Sequence, residues 1–177
     1  MSLAGAPEDP EGKMPELRSI TPDDISQIKA WPSYGDGFEQ MDYALREKGW
    51  LDEFRGKPNT WIYASVFLER LIGFCLLSKT SEREAEFRIA LHRDWLGRGF
   101  GRAITLAAVD KGFRELNLCT ISLIVRKNNP RASRLYERVG FLPIGESIHR
   151  IHGQDIAFID MVMTSMEYGR PLGKENL

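Results

Sequence analysis

Along the chain, apolar positions switch repeatedly between alternation and helical spacing, and each switch marks an element. Leu17 to Ile20 is a short β-type run. Thr21-Pro22-Asp23-Asp24 supplies an N-cap, a proline at the first helical position and two first-turn acids. Ile25, Ile28 and Trp31 then recur at helical spacing, and Pro32 to Gly37 is rich in turn residues. Phe38 to Trp50 reads as a second amphipathic helix carrying Met41, Tyr43 and Leu45. Trp61–Phe67 and Leu71–Leu77 are β-rich runs around Glu69-Arg70, which predicts a hairpin. Glu84 to Leu91 alternates, with Ala85, Phe87, Ile89 and Leu91 on one face and Glu84, Glu86 and Arg88 on the other.

The second half is read in the same way. Gly101 to Leu116 is a helix with Ile104, Leu106, Val109, Phe113 and Leu116 as its apolar stripe, and Thr120 to Val125 is a β-branched strand. Asn129-Pro130 is an N-cap followed by an N1 proline. Ala132, Leu135, Tyr136 and Val139 form the next stripe, and Gly140 is the stop. Phe141–Ile148 and Asp155–Met163 are two closing strands. The predicted order is β-α-α-β-β-β-α-β-α-β-β, a mixed α/β (α+β) layout with antiparallel hairpins and a strand–helix–strand crossover.

Composition narrows the class. With 177 residues, 42% hydrophobic and 28% charged, the chain reads as one globular domain over residues 14–168. Residues 1–13 are Gly/Pro/acid-rich and read as a disordered tail. In 169–177, Glu175-Asn176-Leu177 reads either as a tag remnant or as an ordinary frayed end. A net charge of −1 argues against a molecule built to bind nucleic acid. No apolar run reaches membrane-spanning length and no signal peptide is evident, so neither membrane nor secretion is expected and the cytoplasm is the default location. Cys75 and Cys119 lie in apolar runs and are expected to be reduced and buried. The absence of CxxC or His/Cys clusters predicts no metal site.

The chemistry concentrates in Ala90 to Ile104. Gly97, Gly99 and Gly101 alternate with Arg98, Phe100 and Arg102, after a strand and before a helix. Close glycines admit a ligand to the backbone, and a helix N-terminus favours an anion. The stretch reads as a phosphate cradle, or else as a tight strand-to-helix turn. It is not a Walker A loop, and Arg102 stands where G-x-G-x-x-G needs its third glycine.

A second segment, Asn129 to Phe141, decides between these readings. Leu96-Gly97-Arg98-Gly99-Phe100-Gly101 is similar to Q/R-x-x-G-x-G/A. Asn129, Ala132, Leu135, Tyr136, Glu137, Gly140 and Phe141 are similar to N-x-x-A-x-x-L-Y-E-x-x-G-F. Together they resemble the two motifs of the GNAT superfamily of acetyl-CoA-dependent N-acetyltransferases. The resemblance covers roughly residues 16–166, with its specific motifs within 86–141. It implies a largely antiparallel sheet of about seven strands flanked by helices. It also implies transfer of acetyl from acetyl-CoA to a primary amine in a ternary complex.

On that resemblance, Ile89, Ala90 and Leu91 meet the pantetheine chain. Backbone N–H groups from Leu96 to Gly101 hold the pyrophosphate, with Arg98, Arg102, Arg131 and Arg134 adding charge. Each arginine reads equally as a solvated helix face. Asn129 is a cofactor contact or simply an N-cap. Tyr136 is the general acid, as well as a core ring. The fifth-strand glutamate of some members has no counterpart in Ser122–Val125. Glu86 matches a glutamate frequent on the fourth strand in the family, which makes it the candidate base, with Glu84 and water as alternatives. Leu96 departs from the usual Gln or Arg. His92, His149 and His152 are expected at the surface or in loops. Trp31, Tyr34, Phe38 and Tyr43 suit either a substrate lid or core packing. The acceptor is open: a small-molecule amine such as a polyamine, amino sugar, amino acid or antibiotic, or a peptide N-terminus. A homodimer through the late strands is one expectation. The alternative function is a non-catalytic acyl-CoA-binding regulatory module.

Overall fold

A computed structural model describes residues 13–169 of the chain. The two expected tails, 1–13 and 169–177, lie outside the described residues except for Lys13 and Gly169. One seven-stranded sheet organises the fold, in the order β1-β2-β3-β4-β5-β7-β6. Its strands are β1 (Glu16–Ser19), β2 (Thr60–Phe67), β3 (Arg70–Lys79), β4 (Glu84–Leu91), β5 (Thr120–Arg126), β6 (Leu142–Ile151) and β7 (Gln154–Thr164). Every neighbouring pair is antiparallel except β4 and β5. That exception follows from α3 (Phe100–Arg114), whose crossover returns the chain in the same direction.

Strand alternation divides the core in two. Ala85 and Phe87 of β4 and Ile121, Leu123 and Val125 of β5 pack with Phe100, Ile104, Ala108 and Val109 of α3. Phe74, Leu76 and Ala90 face the other way and pack with α1 (Pro22–Lys29), α2 (Trp50–Phe54) and the segment between them. α4 (Pro130–Val139) lies beside α3, and Gly140 ends it in a left-handed conformation. The predicted caps are present. Thr21 forms a capping box with Asp24, and the Asn129 side chain accepts from Ala132 N at 3.2 Å.

The segment after α1 departs from expectation. In place of one helix over Phe38–Trp50 there is a 3-10 turn at Glu39–Ala44, then a reversal, then α2. Lys48 has φ +59°, and a Cβ on Gly49 would lie 1.8 Å from the Tyr43 carbonyl oxygen. The chain doubles back at Gly49, which a continuous helix forbids. Asp52 fastens the reversal by accepting from Lys48 N at 3.1 Å and pairing with Lys29 at 2.7 Å. A fifth helix, α5 (Ser165–Tyr168), was not predicted. Thr164 caps it, and Tyr168 donates to Asp110 on α3 at 2.6 Å. Cys75 is buried as expected, whereas Cys119 is only partly so.

Candidate active site

β4 and β5 pair at three positions only, Glu84↔Thr120, Ala85↔Ile121 and Glu86↔Ser122. Beyond them the strands part. Phe87–Leu91 and Leu123–Arg126 line the two sides of a cleft of about 1820 Å³. The facing backbone edges have lost their ladder partners there, so a ligand can take the place of a strand. Tyr34 donates its buried hydroxyl to the Leu91 carbonyl and so fixes the end of β4. Burial pushes the Tyr34 phenol pKa up, which keeps that donor protonated.

The cleft passes through the sheet. On the α3/α4 side it is lined by Ile89, Leu91, Gly97, Gly99, Gly101 and Arg102, while Leu96, also in the wall, packs with the α1/α2 core. Asn129, Arg131, Arg134 and Tyr136 complete that wall. Gly97 and Gly99 have φ of +76° and +85°, so both need glycine's freedom. The Arg131 guanidinium lies over the loop, since a Cβ on Gly97 would come 2.6 Å from its Nη2. Phe100, Gly101 and Arg102 open α3, and their N–H groups have no intrahelical acceptor. Gly101 has a packing role as well. A Cβ there would meet Leu135 at 3.0 Å and Leu91 at 3.4 Å, so it permits the close packing of α3 against α4 and β4.

Two of the expected loop residues turn their side chains away from the cleft. Arg98 stacks on Trp95 at 5.1 Å, off the cleft wall. The Phe100 ring is 2% exposed and packs on Phe67 and Trp95, leaving only its backbone for a ligand. Tyr136 is half-buried, with its ring 6.0 Å from that of Phe141. Desolvation pushes its pKa up to about 12, so it carries its proton at neutral pH. Glu86 does not line the cleft. It sits at the paired end of β4, where Arg88 Nε donates to Oε1 at 2.8 Å.

On the α1/α2 side the cleft is lined by Ala90, Arg88, Ile124 and Arg126, with Tyr34, Phe38, Tyr43, Trp50 and Glu53 opposite. Trp31 is core, packed on Phe74 and His92. Tyr43 meets His152 edge-on at 5.5 Å, which joins the 3-10 turn to the β6–β7 hairpin across the opening. His149 also reaches the cleft wall, meeting the Phe158 ring edge-on at 5.2 Å. Sequence reasoning missed Arg88, Arg126, His149 and Phe158 as wall residues. The alternation of β5 held a signal for Arg126, the polar end of a strand whose buried positions are Ile121, Leu123 and Val125.

Residues 16–142 match the acetyltransferase (GNAT) domain family. The chain belongs to the GNAT acetyltransferase family. The spermidine N(1)-acetyltransferase of Escherichia coli (strain K12) is 36% identical over 88 residues, 49% of this chain and 47% of that protein. That of Vibrio cholerae serotype O1 is 38% identical over 82 residues, 45% of this chain and 47% of that protein. The match thus spans about half the length of these curated relatives. Among solved structures, a spermidine N-acetyltransferase chimera from Vibrio cholerae and hSSAT has TM-score 0.72 and 26% identity, covering 88% of this chain and 98% of that one. The Vibrio cholerae enzyme in complex with CoA and spermine has TM-score 0.69 at 23% identity, covering 88% and 98%, a likeness of fold.

GNAT enzymes use acetyl-CoA, and this cleft fits it. The positive-φ loop under Arg131 offers backbone N–H groups and a cation to a pyrophosphate. The unpaired edge of β4 offers peptide groups to an amide-bearing arm. No helix among the described residues is long and apolar enough to cross a membrane.

Proposed function

We propose that the chain moves the acetyl group of acetyl-CoA to the primary amine of a small molecule, by direct attack while both are bound. The observation that supports this most is the Tyr136 phenol, protonated and desolvated in the wall of the same cleft as the glycine loop. Acetyl-CoA supplies an activated thioester. The cofactor enters along the α3/α4 side, where β4 aligns it. The amine enters from the α1/α2 side, under the Tyr43–His152 contact. Tyr136 donates its proton to the departing thiolate as the C–S bond breaks and the C–N bond forms. The proton shed by the amine leaves through water. Glu86 receives it at one remove, because Arg88 occupies Oε1.

The relatives named above are spermidine acetyltransferases, and the amine chemistry is common to polyamines and to other primary amines. Thiol release from acetyl-CoA with a panel of amines tests the reading. Turnover with at least one amine, lost with Tyr136→Phe while acetyl-CoA still binds, supports it. Binding without turnover on any amine would point to an acyl-CoA-binding module instead.

A further inference from the structure

Strand register puts one cation where the acceptor enters. Ile121, Leu123 and Val125 are buried toward α3, so Ser122, Ile124 and Arg126 face the α1/α2 side. Extending the β4–β5 register places Arg126 level with Ala90, directly across the gap. Arg126 lies over the Phe158 ring at 5.8 Å and lines the cleft. It makes no ion pair among the described residues.

The other charged residues that line this side are paired, and Asp160 nearby is hydrogen-bonded. Arg88 stacks on Phe54 at 4.8 Å and pairs with Glu86 at 2.8 Å. Glu53, the only acid among the described lining residues, pairs with Lys57 at 3.2 Å. Arg150 pairs with Asp155 at 3.0 Å. Asp160 shares the face of Arg126, but it accepts from Ser147 Oγ at 2.6 Å. Lys127 pairs with Glu146 at 2.8 Å. On the opposite side of the sheet the cleft is lined by Arg102, Arg131, Arg134 and Arg138, which would serve the phosphates of the cosubstrate. Among the lining cations of the α1/α2 side, Arg126 is therefore the one that makes no ion pair among the described residues. Its partial burial depresses its pKa, as for a cation short of solvent. A partly buried guanidinium over an aromatic ring favours a carboxylate or phosphate, and it opposes a second ammonium.

From this we infer that the acceptor is an amine that also carries an anionic group, a carboxylate or a phosphate, held by Arg126 while the amine reaches toward the acetyl group. The inference rests on the acetyl-transfer reading above and narrows its substrate. It points away from the polycations named for the relatives.

The test compares kcat/KM for matched pairs of amines. ω-Amino acids of increasing length are run against their amides, O-phosphoethanolamine against ethanolamine, and spermidine alongside. The anionic member is expected to win by about tenfold or more in one series, and that series identifies carboxylate or phosphate. Arg126→Gln is expected to bring the ratio close to one, and Arg126→Lys to keep part of it. Titration of the preferred anionic amine into the CoA-loaded protein, by calorimetry, gives the same comparison without turnover. Preference for spermidine or for the neutral amines, or a ratio untouched by Arg126→Gln, overturns the inference and leaves acetyl transfer standing. If acetyl-CoA binds and no amine of any charge is acetylated, the acetyl-transfer reading falls and takes this inference with it.

Discussion

On the α3/α4 side of the cleft, the groups offered to a ligand on the proposed reading are mainly backbone. The loop presents N–H groups around Gly97 and Gly99, the β4 edge presents peptide groups, and the Arg131 guanidinium lies beside Gly97. On the α1/α2 side they are side chains from five separate places: Tyr34, the 3-10 turn, α2, β5 and the β6–β7 hairpin. A backbone site tolerates side-chain exchange and fails when the chain's path changes. A side-chain site does the reverse. The division suits an enzyme family with one shared cosubstrate and many acceptors.

The largest expected effect strikes where the two sides meet. Tyr136→Phe should lower kcat by about 10²- to 10⁴-fold with little change in KM for acetyl-CoA, as read by steady-state kinetics. An unchanged kcat would remove Tyr136 from the chemistry. Next comes the backbone. Gly97→Val must adopt φ +76° and push into Arg131, so KM for acetyl-CoA should rise by about tenfold or more. A smaller rise than that caused by Arg131→Ala would break the contrast drawn above.

Glu86→Gln should reduce kcat several-fold near neutral pH. The deficit should shrink as pH approaches the amine's own pKa of about 10.4, where the acceptor is neutral unaided. A deficit that does not vary with pH would sink the proton-acceptor role. Leu96→Gln restores the residue usual in the family, yet should change KM for acetyl-CoA by less than about threefold, because the loop binds through its N–H groups. A large improvement would show that side chains matter more there than this account allows.

The smallest effect on activity belongs to Asp24, remote from the cleft. Two bonds from Arg18, at 2.6 and 2.9 Å, hold its carboxyl down at about 2. Its folded pKa is below the unfolded value of about 3.9, so the stabilisation is complete above that pH and is lost as pH falls toward 2. Asp24→Asn should lower Tm at neutral pH, flatten its acid dependence over that window and leave kcat alone. Thermal melts from pH 2 to 6 would show it.

The same contrast explains what could be read from the chain. Caps, hairpins and the glycine loop depend on residues close together in sequence, and Thr21, Asn129, Gly97 and Gly140 marked them correctly. The three loop glycines differ in one respect that sequence does not show: Gly101, which also lines the cleft, lets α3 pack closely on α4, and only its neighbour Leu135 in space reveals that. Phe38–Trp50 was misread because Met41, Tyr43 and Leu45 carry a helical rhythm while the reversal is set by Gly49 against the Tyr43 carbonyl, a contact with no periodic signature. For Arg126 the β5 alternation gave its face, but not its lack of an ion-pair partner among the described residues, because sequence does not display which charges are already paired.

The three-rung junction between β4 and β5 has a mechanical consequence. It joins an antiparallel block of β1–β4 to a second block of β5–β7, so the sheet is a seam between two halves. Loads pulling the halves apart concentrate on Glu84–Glu86 and Thr120–Ser122, backed by the α3 crossover. A molecule lying along Phe87–Leu91 and touching α4 bridges both halves and rivets the seam. Amide exchange should then slow along β5 as well as β4 when CoA is bound, because the two blocks can no longer part independently.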